Sequence, residues 1–423
     1  MDIQVPDQDR PMHVYMPGKT QHGKSTLMFW MILQDITRDH GVCLMDGKGD
    51  FAPNLVNYVP ESRIDDTLYL DINTPVPLDF MSYNDNDEKE ALIGELKYIL
   101  LKTVETQHIP IIGSNLTDIL LTLFNYNEHS ETPPECRATF LDIHYFLDDP
   151  ERKKVILSRV NDEDLQRRWK NDWPSPQDAA RIKTRTAPFV RSPTLKKIFG
   201  GKTPKLNIAQ AMDGKKIIIV NLGPMDDIRR MYGTLLLSKI RQAANRRATI
   251  LKSQRIPFYL YCDEFHEFQT PEFSKMLSLA GGLGLCLTLA HQYTDQLEAG
   301  ILQGILGNVS SFICFRLGQA SANCLRGEIP KQFLELLPTL PVGQAIYRAA
   351  SGATNLIHTP APPNFTRASY AEIIKKRTMD NYACDTPQVC STEGDEHHTP
   401  RSDEINPSGT PRVSSHGGKK KNP

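Results

Sequence analysis

No segment of this chain approaches the roughly 20 consecutive apolar residues that a bilayer-spanning helix needs. The longest candidate, Leu277–Ala290, is short and broken by glycine. The N-terminus, MDIQVPDQDRP, is acidic, has no apolar core and does not read as a signal peptide. An excess of one charge is missing too. With 49 Lys and Arg against 50 Asp and Glu, the formal net charge is −1. That balance excludes a uniformly basic nucleic-acid-coating protein but leaves room for a local basic channel. A disulfide framework is also missing. Of the eight cysteines, Cys43, Cys262, Cys286 and Cys314 each sit inside an apolar strand-like run. They read as small buried side chains in a reducing cytoplasm. Cys384, Cys390, His397 and His398 match no standard zinc spacing. No internal repeat is evident.

What is present is a chain of 423 residues, 39% of them hydrophobic, enough to bury a large core and to form two or three domains. Its most informative segment is GKTQHGKST, Gly18 to Thr26, which follows the apolar run His13–Met16 and opens a helical stretch. The pattern Gly-x-x-x-x-Gly-Lys-Ser is that of a phosphate-cradling loop. Gly18 and Gly23 let the backbone curl while the N–H groups of Lys19, Thr20, Gln21, His22 and Thr26 lie along a nucleotide's phosphates. Lys24 neutralises the β- and γ-phosphates and Ser25 ligates Mg²⁺, with the amino end of the helix adding positive charge. The expected ligands are therefore ATP and Mg²⁺.

The partner carboxylates lie far downstream. Ile256–Phe265 is a buried-strand pattern ending in Asp263 and Glu264. In nucleotide hydrolases of this type the first acid holds the metal's shell, here Asp263, and the second activates water, here Glu264. A further strand, Leu285–Leu289, leads to Ala290-His291-Gln292. There a polar side chain faces the phosphates across the crevice at the strand's carboxyl end. Gln292 is the preferred γ-phosphate sensor, ahead of His291. Asp46, Lys48 and Asp50 follow another strand and form either a second layer near the metal or a plain turn.

From residue 10 to about 84, strands and a helix alternate as in a parallel, doubly wound sheet. From 85 to 208 the periodicity turns helical, with probable helices Glu88–Thr106, Leu116–Tyr126, Thr139–Leu147, Arg152–Trp169 and Gln177–Phe199. The sheet resumes at Lys215–Leu222 and continues through Ser311–Leu317 and Gln344–Ala349. The fold class is thus α/β, a P-loop nucleotide-binding domain with a mostly parallel sheet built from 1–84 and 209–360. It carries an inserted all-α domain at 85–208. Residues 151–210 hold 15 Lys and Arg against six Asp and Glu, a basic surface suited to solvent, nucleic acid or an acidic partner. Residues 361–423 form an extension whose composition from about 378 is that of a disordered tail.

The order GKTQHGKSTL, VCLMDGKGDF, KKIIIVNLG, FYLYCDEFHEF and LTLAHQYTDQL resembles the type IV secretion coupling proteins of the TraG/TraD kind. These group with HerA and FtsK among hexameric DNA-pumping ATPases, and the resemblance covers roughly residues 10–360. It implies six RecA-like domains in a ring, ATP at the subunit interfaces and DNA in the central channel. It also implies a helical domain that meets the transfer substrate or its relaxase, secretion-channel or nuclease partners. Family members begin with membrane-spanning helices; here the phosphate loop starts at residue 18, which predicts a cytoplasmic chain without membrane insertion, docked through partners. Members also carry an arginine finger where this chain reads Ala280-Gly281-Gly282-Leu283-Gly284. Arg316, at a strand end, is either a replacement that reaches a neighbour's γ-phosphate or one half of a surface or interface ion pair. Arg229, Arg230 and Lys239 lie on one helix that can face the channel. The leading function is an ATP-driven DNA motor of conjugative transfer. Its rivals are a HerA-type processing or packaging translocase and a slow-hydrolysing, ATP-switched substrate receptor.

Overall fold

The structure, a computed structural model, describes residues 5–101, 109–362 and 369–383. Nine strands form one sheet: β1 (Val14–Pro17), β2 (Gly41–Asp46), β3 (Thr67–Asp71), β4 (Ile217–Asn221), β5 (Phe258–Asp263), β6 (Leu285–His291), β7 (Ser311–Cys314), β8 (Gln344–Arg348) and β9 (Thr354–His358). Their order is β3-β4-β2-β5-β6-β1-β7-β8-β9. The strands from β3 to β7 in that order are parallel, and β8 and β9 add on antiparallel. The mixed, mostly parallel sheet with helices on both faces is the fold class that the sequence predicts.

Strand residues alternate between two apolar layers, the period-two signature of a pleated strand buried on both faces. In β2, Cys43 and Met45 join one core while Val42 and Leu44 join the other. In β5, Leu260 and Cys262 face the first layer and Tyr259 and Tyr261 the second. The first layer continues into the helices of the 86–213 stretch and the helix Asp227–Asn245. The second packs under the helix Lys24–Thr37 and the helix Ala371–Tyr382.

The helical stretch is cut more finely than its periodicity suggests. The expected helix Arg152–Trp169 is two, Pro150–Ser158 and Glu163–Asn171, because the Asp162 side chain caps the second by accepting from Asp164 and Leu165 N–H. The expected Gln177–Phe199 is likewise two, Pro176–Arg191 and Pro193–Phe199, with Ser192 as N-cap and proline at N1. Strand β9 completes a hairpin with β8 that the sequence analysis does not foresee. The helix Ala371–Tyr382 runs four residues past 378 and lies along β3, where the Thr378 hydroxyl accepts from Tyr69 N–H at 3.1 Å. The opposite edge, β9, is mostly exposed, with Leu356 at its centre. Cys384, Cys390, His397, His398 and the expected tail lie outside the described residues.

Candidate functional site

Seven parallel strands end on one edge of the sheet, and the loops leaving that edge bring the sequence candidates together. The phosphate loop leaves β1 and is held on three sides. Gly18 N–H donates to His291 C=O at 3.1 Å, Lys19 N–H donates to Arg316 C=O at 2.8 Å, and His22 C=O accepts from Gly343 N–H at 3.1 Å. Gly23 has φ 108°, which only glycine adopts without strain, and it opens the helix Lys24–Thr37. Lys19, Thr20 and Gln21 are exposed. Lys24 is buried, and its ammonium is folded back onto the carbonyls of Gly18 and Lys19. Burial lowers its pKa to about 8, and the Lys48 charge adds to that fall against the pull of Asp263.

One strand, β6, separates β1 from the acidic strand β5. Across it Ser25 Oγ donates to Asp263 Oδ2 at 3.2 Å. Asp263 is fully buried and its pKa is pushed up to about 6, first by desolvation and then by the neighbouring Glu264 and Asp46 carboxylates, with Lys48 opposing. A buried carboxylate that is short of positive charge, next to a hydroxyl, is the donor set for a hard divalent cation. Ser25 and Asp263 are the residues that would hold Mg²⁺ there. Among the described residues no cluster of three or more His, Cys, Asp and Glu offers a fully protein-built metal site.

Glu264 follows in a left-handed conformation, φ 53°, ψ 45°, unusual for a residue with a side chain and worth roughly 1–2 kcal/mol of strain. The twist turns its carboxylate back into the crevice. Oε1 meets Lys48 Nζ at 2.7 Å and accepts from Gln292 Nε2 at 3.1 Å. Oε2 lies 3.5 Å from His266 Nδ1 and has no hydrogen-bond partner. Lys48 is aimed by Asp46, whose carboxylate accepts four amides, those of Lys48, Gly49, Phe51 and Ala52, at 2.8–2.9 Å. Asp46 thus builds the turn, and Asp50 lines a cavity of about 270 Å³ beside Ser25 and Thr26.

His291 is not at the crevice. Its ring is buried, and its Nδ1 lies 3.1 Å from Tyr293 C=O, which can only accept, so Nδ1 carries the proton. Nε2 then accepts from the Tyr15 hydroxyl at 2.6 Å, and desolvation lowers the pKa to about 3. Gln292, the next residue, is the one that touches Glu264.

Arg316 stands beside its own chain's loop. Its Nε donates to Pro338 C=O at 2.9 Å while its carbonyl holds Lys19. Gly281 precedes β6 at the end opposite Gln292, ~23 Å of strand away at ~3.3 Å per residue. A Cβ there would sit 1.9 Å from Pro11 O, so close approach of backbone explains the glycine and excludes arginine. Lys239 is buried, bonded to Ser82 and Gln242, and faces no channel. Arg229 pairs with Asp226, and Arg230 pairs with Asp227 and Glu267.

Sequence analysis missed the relay that continues from Glu264. His266 Nε2 is 3.4 Å from Glu267 Oε1, and Glu267 Oε2 is 2.7 Å from Arg230. Residues of this relay line a cavity of about 650 Å³ whose far wall includes Tyr98 and Arg185 from the helical stretch. The only signal was the string Glu264-Phe265-His266-Glu267, in which the last two polar residues read as an ordinary strand-to-helix junction.

With the geometry in place, comparison with known proteins is informative. Residues 257–323 match the family model described as the TraM recognition site of TraD and TraG, a segment that carries Asp263, Glu264, Gln292 and Arg316. The plasmid coupling protein TrwB solved with ADP and Mg²⁺ has a TM-score of 0.60 at 13% identity, covering 86% of this chain and 89% of that one. TrwB with the GTP analogue GDPNP gives 0.59 at 11%, covering 87% and 89%. VirB4 of Thermoanaerobacter pseudethanolicus gives 0.55 at 12%, covering 84% and 91%. No curated protein matches in sequence. At these identities the structural likeness shows the fold, that of a P-loop NTPase; together with the family-model match it bears out the resemblance to TraG/TraD-like coupling ATPases. No helix among the described residues is long and apolar enough to cross a membrane.

Proposed function

We propose that this chain is an ATP-hydrolysing DNA translocase of the conjugative coupling kind, working as a homo-hexameric ring with DNA in its channel. The observation that carries the reading is the convergence at one sheet edge of Lys24, the Ser25–Asp263 pair and the turned-in Glu264. In this reading Gly18 to Thr26 wrap the phosphates, and Lys24 gives up the loop carbonyls for phosphate oxygens. Ser25 and Asp263 hold Mg²⁺, which supplies charge neutralisation at the phosphates. Glu264 takes the proton of the attacking water as the bond between the γ-phosphorus and the bridging oxygen breaks, and Gln292 holds Glu264 and senses the γ-phosphate. Arg316, whose Nε rests on Pro338 C=O, is the residue offered to a neighbour's γ-phosphate in the ring.

Residues 1–84 with 209–360 act as the motor domain, 85–208 as the inserted domain that meets cargo, and 257–323 as contact for a TraM-like or other relaxosome partner. The proposed location is cytoplasmic, with any membrane attachment through partner proteins. Release of phosphate from ATP, measured with and without single- and double-stranded DNA and beside a mass measurement in ATP, tests the reading. DNA-stimulated turnover by a hexamer is the expected result. Tight ATP binding with negligible turnover in every condition would replace it with an ATP-switched receptor, the reading that the absent arginine at Gly281 favours.

A further inference from the structure

The ion pair between Lys48 and Glu264 does more than fill space. Its two members leave the carboxyl ends of adjacent strands, β2 and β5, whose Asp46 and Asp263 are direct partners in register. Four backbone amides tie Asp46 to the turn that presents Lys48, so the ammonium has a fixed base and a flexible stem. The Lys48 side chain is 27% exposed while that of Glu264 is 4% exposed, so the lysine is the partner with room to leave. Its charge is felt by Lys24, Asp263 and Glu264 together, which puts it within electrostatic reach of the place where a γ-phosphate meets the loop lysine and the metal acid. Both lysines of the crevice are occupied by the protein itself: Lys24 by loop carbonyls, Lys48 by the very carboxylate that must accept a proton from water. An ammonium seated 2.7 Å from Oε1 takes the side of that oxygen that a water molecule would otherwise approach.

We propose that Lys48 is a cation that moves within its own subunit: it restrains Glu264 while no triphosphate is bound and transfers to the γ-phosphate when one is. That transfer opens one of the two contacts on Oε1 to the attacking water, Gln292 keeping the other, and supplies, from the same chain, positive charge of the sort that a finger at Gly281 would have brought. A nucleoside diphosphate offers no γ-oxygen, so Lys48 stays on Glu264 and the site remains latched. This inference rests on the phosphate-loop reading above.

The test is equilibrium binding of Mg²⁺ with ADP and with a non-hydrolysable ATP analogue to the full chain, compared among wild type, Lys48→Met, Lys48→Arg and Lys24→Ala, with single-turnover hydrolysis alongside. Lys48→Met is expected to lower the preference for triphosphate over diphosphate by on the order of tenfold, the worth of one charge-assisted hydrogen bond. ADP affinity should stay within about twofold, and the rate of the chemical step should fall on the order of 10²-fold, as when a single charge-stabilising donor is removed. Lys48→Arg should restore part of both. An unchanged preference in Lys48→Met overturns the proposal, as does loss of ADP and analogue together, since Lys48 would then act on the whole site. A faster chemical step in Lys48→Met would show a restraint with no role at the γ-phosphate and also overturns it. Lys24→Ala separates the two readings: if that variant keeps full nucleotide affinity, the phosphate-loop assignment itself fails, whatever Lys48 does.

Discussion

Lys24 and Lys239 are both buried, and burial lowers the pKa of each to about 8, yet they sit in regions built to opposite ends. Lys24 lies at the mouth of a helix, where its bonds go to two carbonyls of a nine-residue loop and the three charged groups that act on it, Asp263, Lys48 and Glu264, are all crevice residues. Lys239 lies in the middle of the helix Asp227–Asn245, where Ser82 and Gln242 take its protons and Asp79, Glu88 and Glu95 offset its charge from a distance. The loop's contacts are ones that phosphate oxygens can replace. Those around Lys239 have no substitute, because the tie to Ser82 joins the helix to the segment that leads into the helical insertion. Two lysines whose pKa burial lowers alike thus differ in what their removal disturbs: one a ligand equilibrium, the other the fold.

That contrast breaks first, and hardest, at Lys24. Lys24→Ala should lower hydrolysis on the order of 10²–10³-fold, as expected for a lost charge-stabilising group, while the denaturation midpoint stays near wild type. A variant that unfolds early would put Lys24 in the structural class with Lys239. Next, Glu264→Gln should retain nucleotide and lose turnover by a comparable factor, since an amide keeps the shape but accepts no proton. Normal turnover there would assign the base elsewhere. Lys239→Ala supplies the converse: a loss of roughly 2–3 kcal/mol of stability from a buried cavity and orphaned partners, read by denaturant titration, with nucleotide affinity unchanged.

The pH dependence of stability sharpens the picture further. His13 and His291 are buried and neutral, with pKa values lowered by desolvation to about 4 and about 3. Unfolded, each titrates near 6.5. Between these values the unfolded chain binds more protons, so stability is full above about pH 6.5 and falls as pH drops toward 4. Each histidine contributes up to about 1.36 kcal/mol per pH unit to that slope. Replacing His291 by Asn should flatten the acid limb. The smallest effect belongs to residues 384–423: their removal should leave the melting temperature where it was.

Much of the site was legible because its chemistry is local. Two framing glycines followed by Lys24 and Ser25 announce the loop, and an apolar run ending in two acids announces Asp263 and Glu264. From sequence Lys48 reads as either near the metal or in a plain turn, and not as on Glu264, since a pair 216 positions apart exists only through the adjacency of β2 and β5. Gln292 was preferred to His291 by strand-end logic, and the buried Tyr15 contact supplies the reason why the histidine is withdrawn. The helical stretch was read as helical but with wrong joints, because periodicity runs straight through a break that only a cap or a proline marks. β9 went unseen for a related reason: an edge strand with little buried area carries little hydrophobic alternation.

The two margins of the sheet differ in one more respect. β3 is finished by the helix Ala371–Tyr382, with Thr378 on the Tyr69 amide, whereas among the described residues nothing pairs with the outer edge of β9. An unpaired strand is a growth point for hydrogen-bonded polymerisation. With one such edge among the described residues, pairing of one β9 with another would use up both. The helix at β3 thus acts as a chain terminator: association made through sheet edges alone would close at two copies.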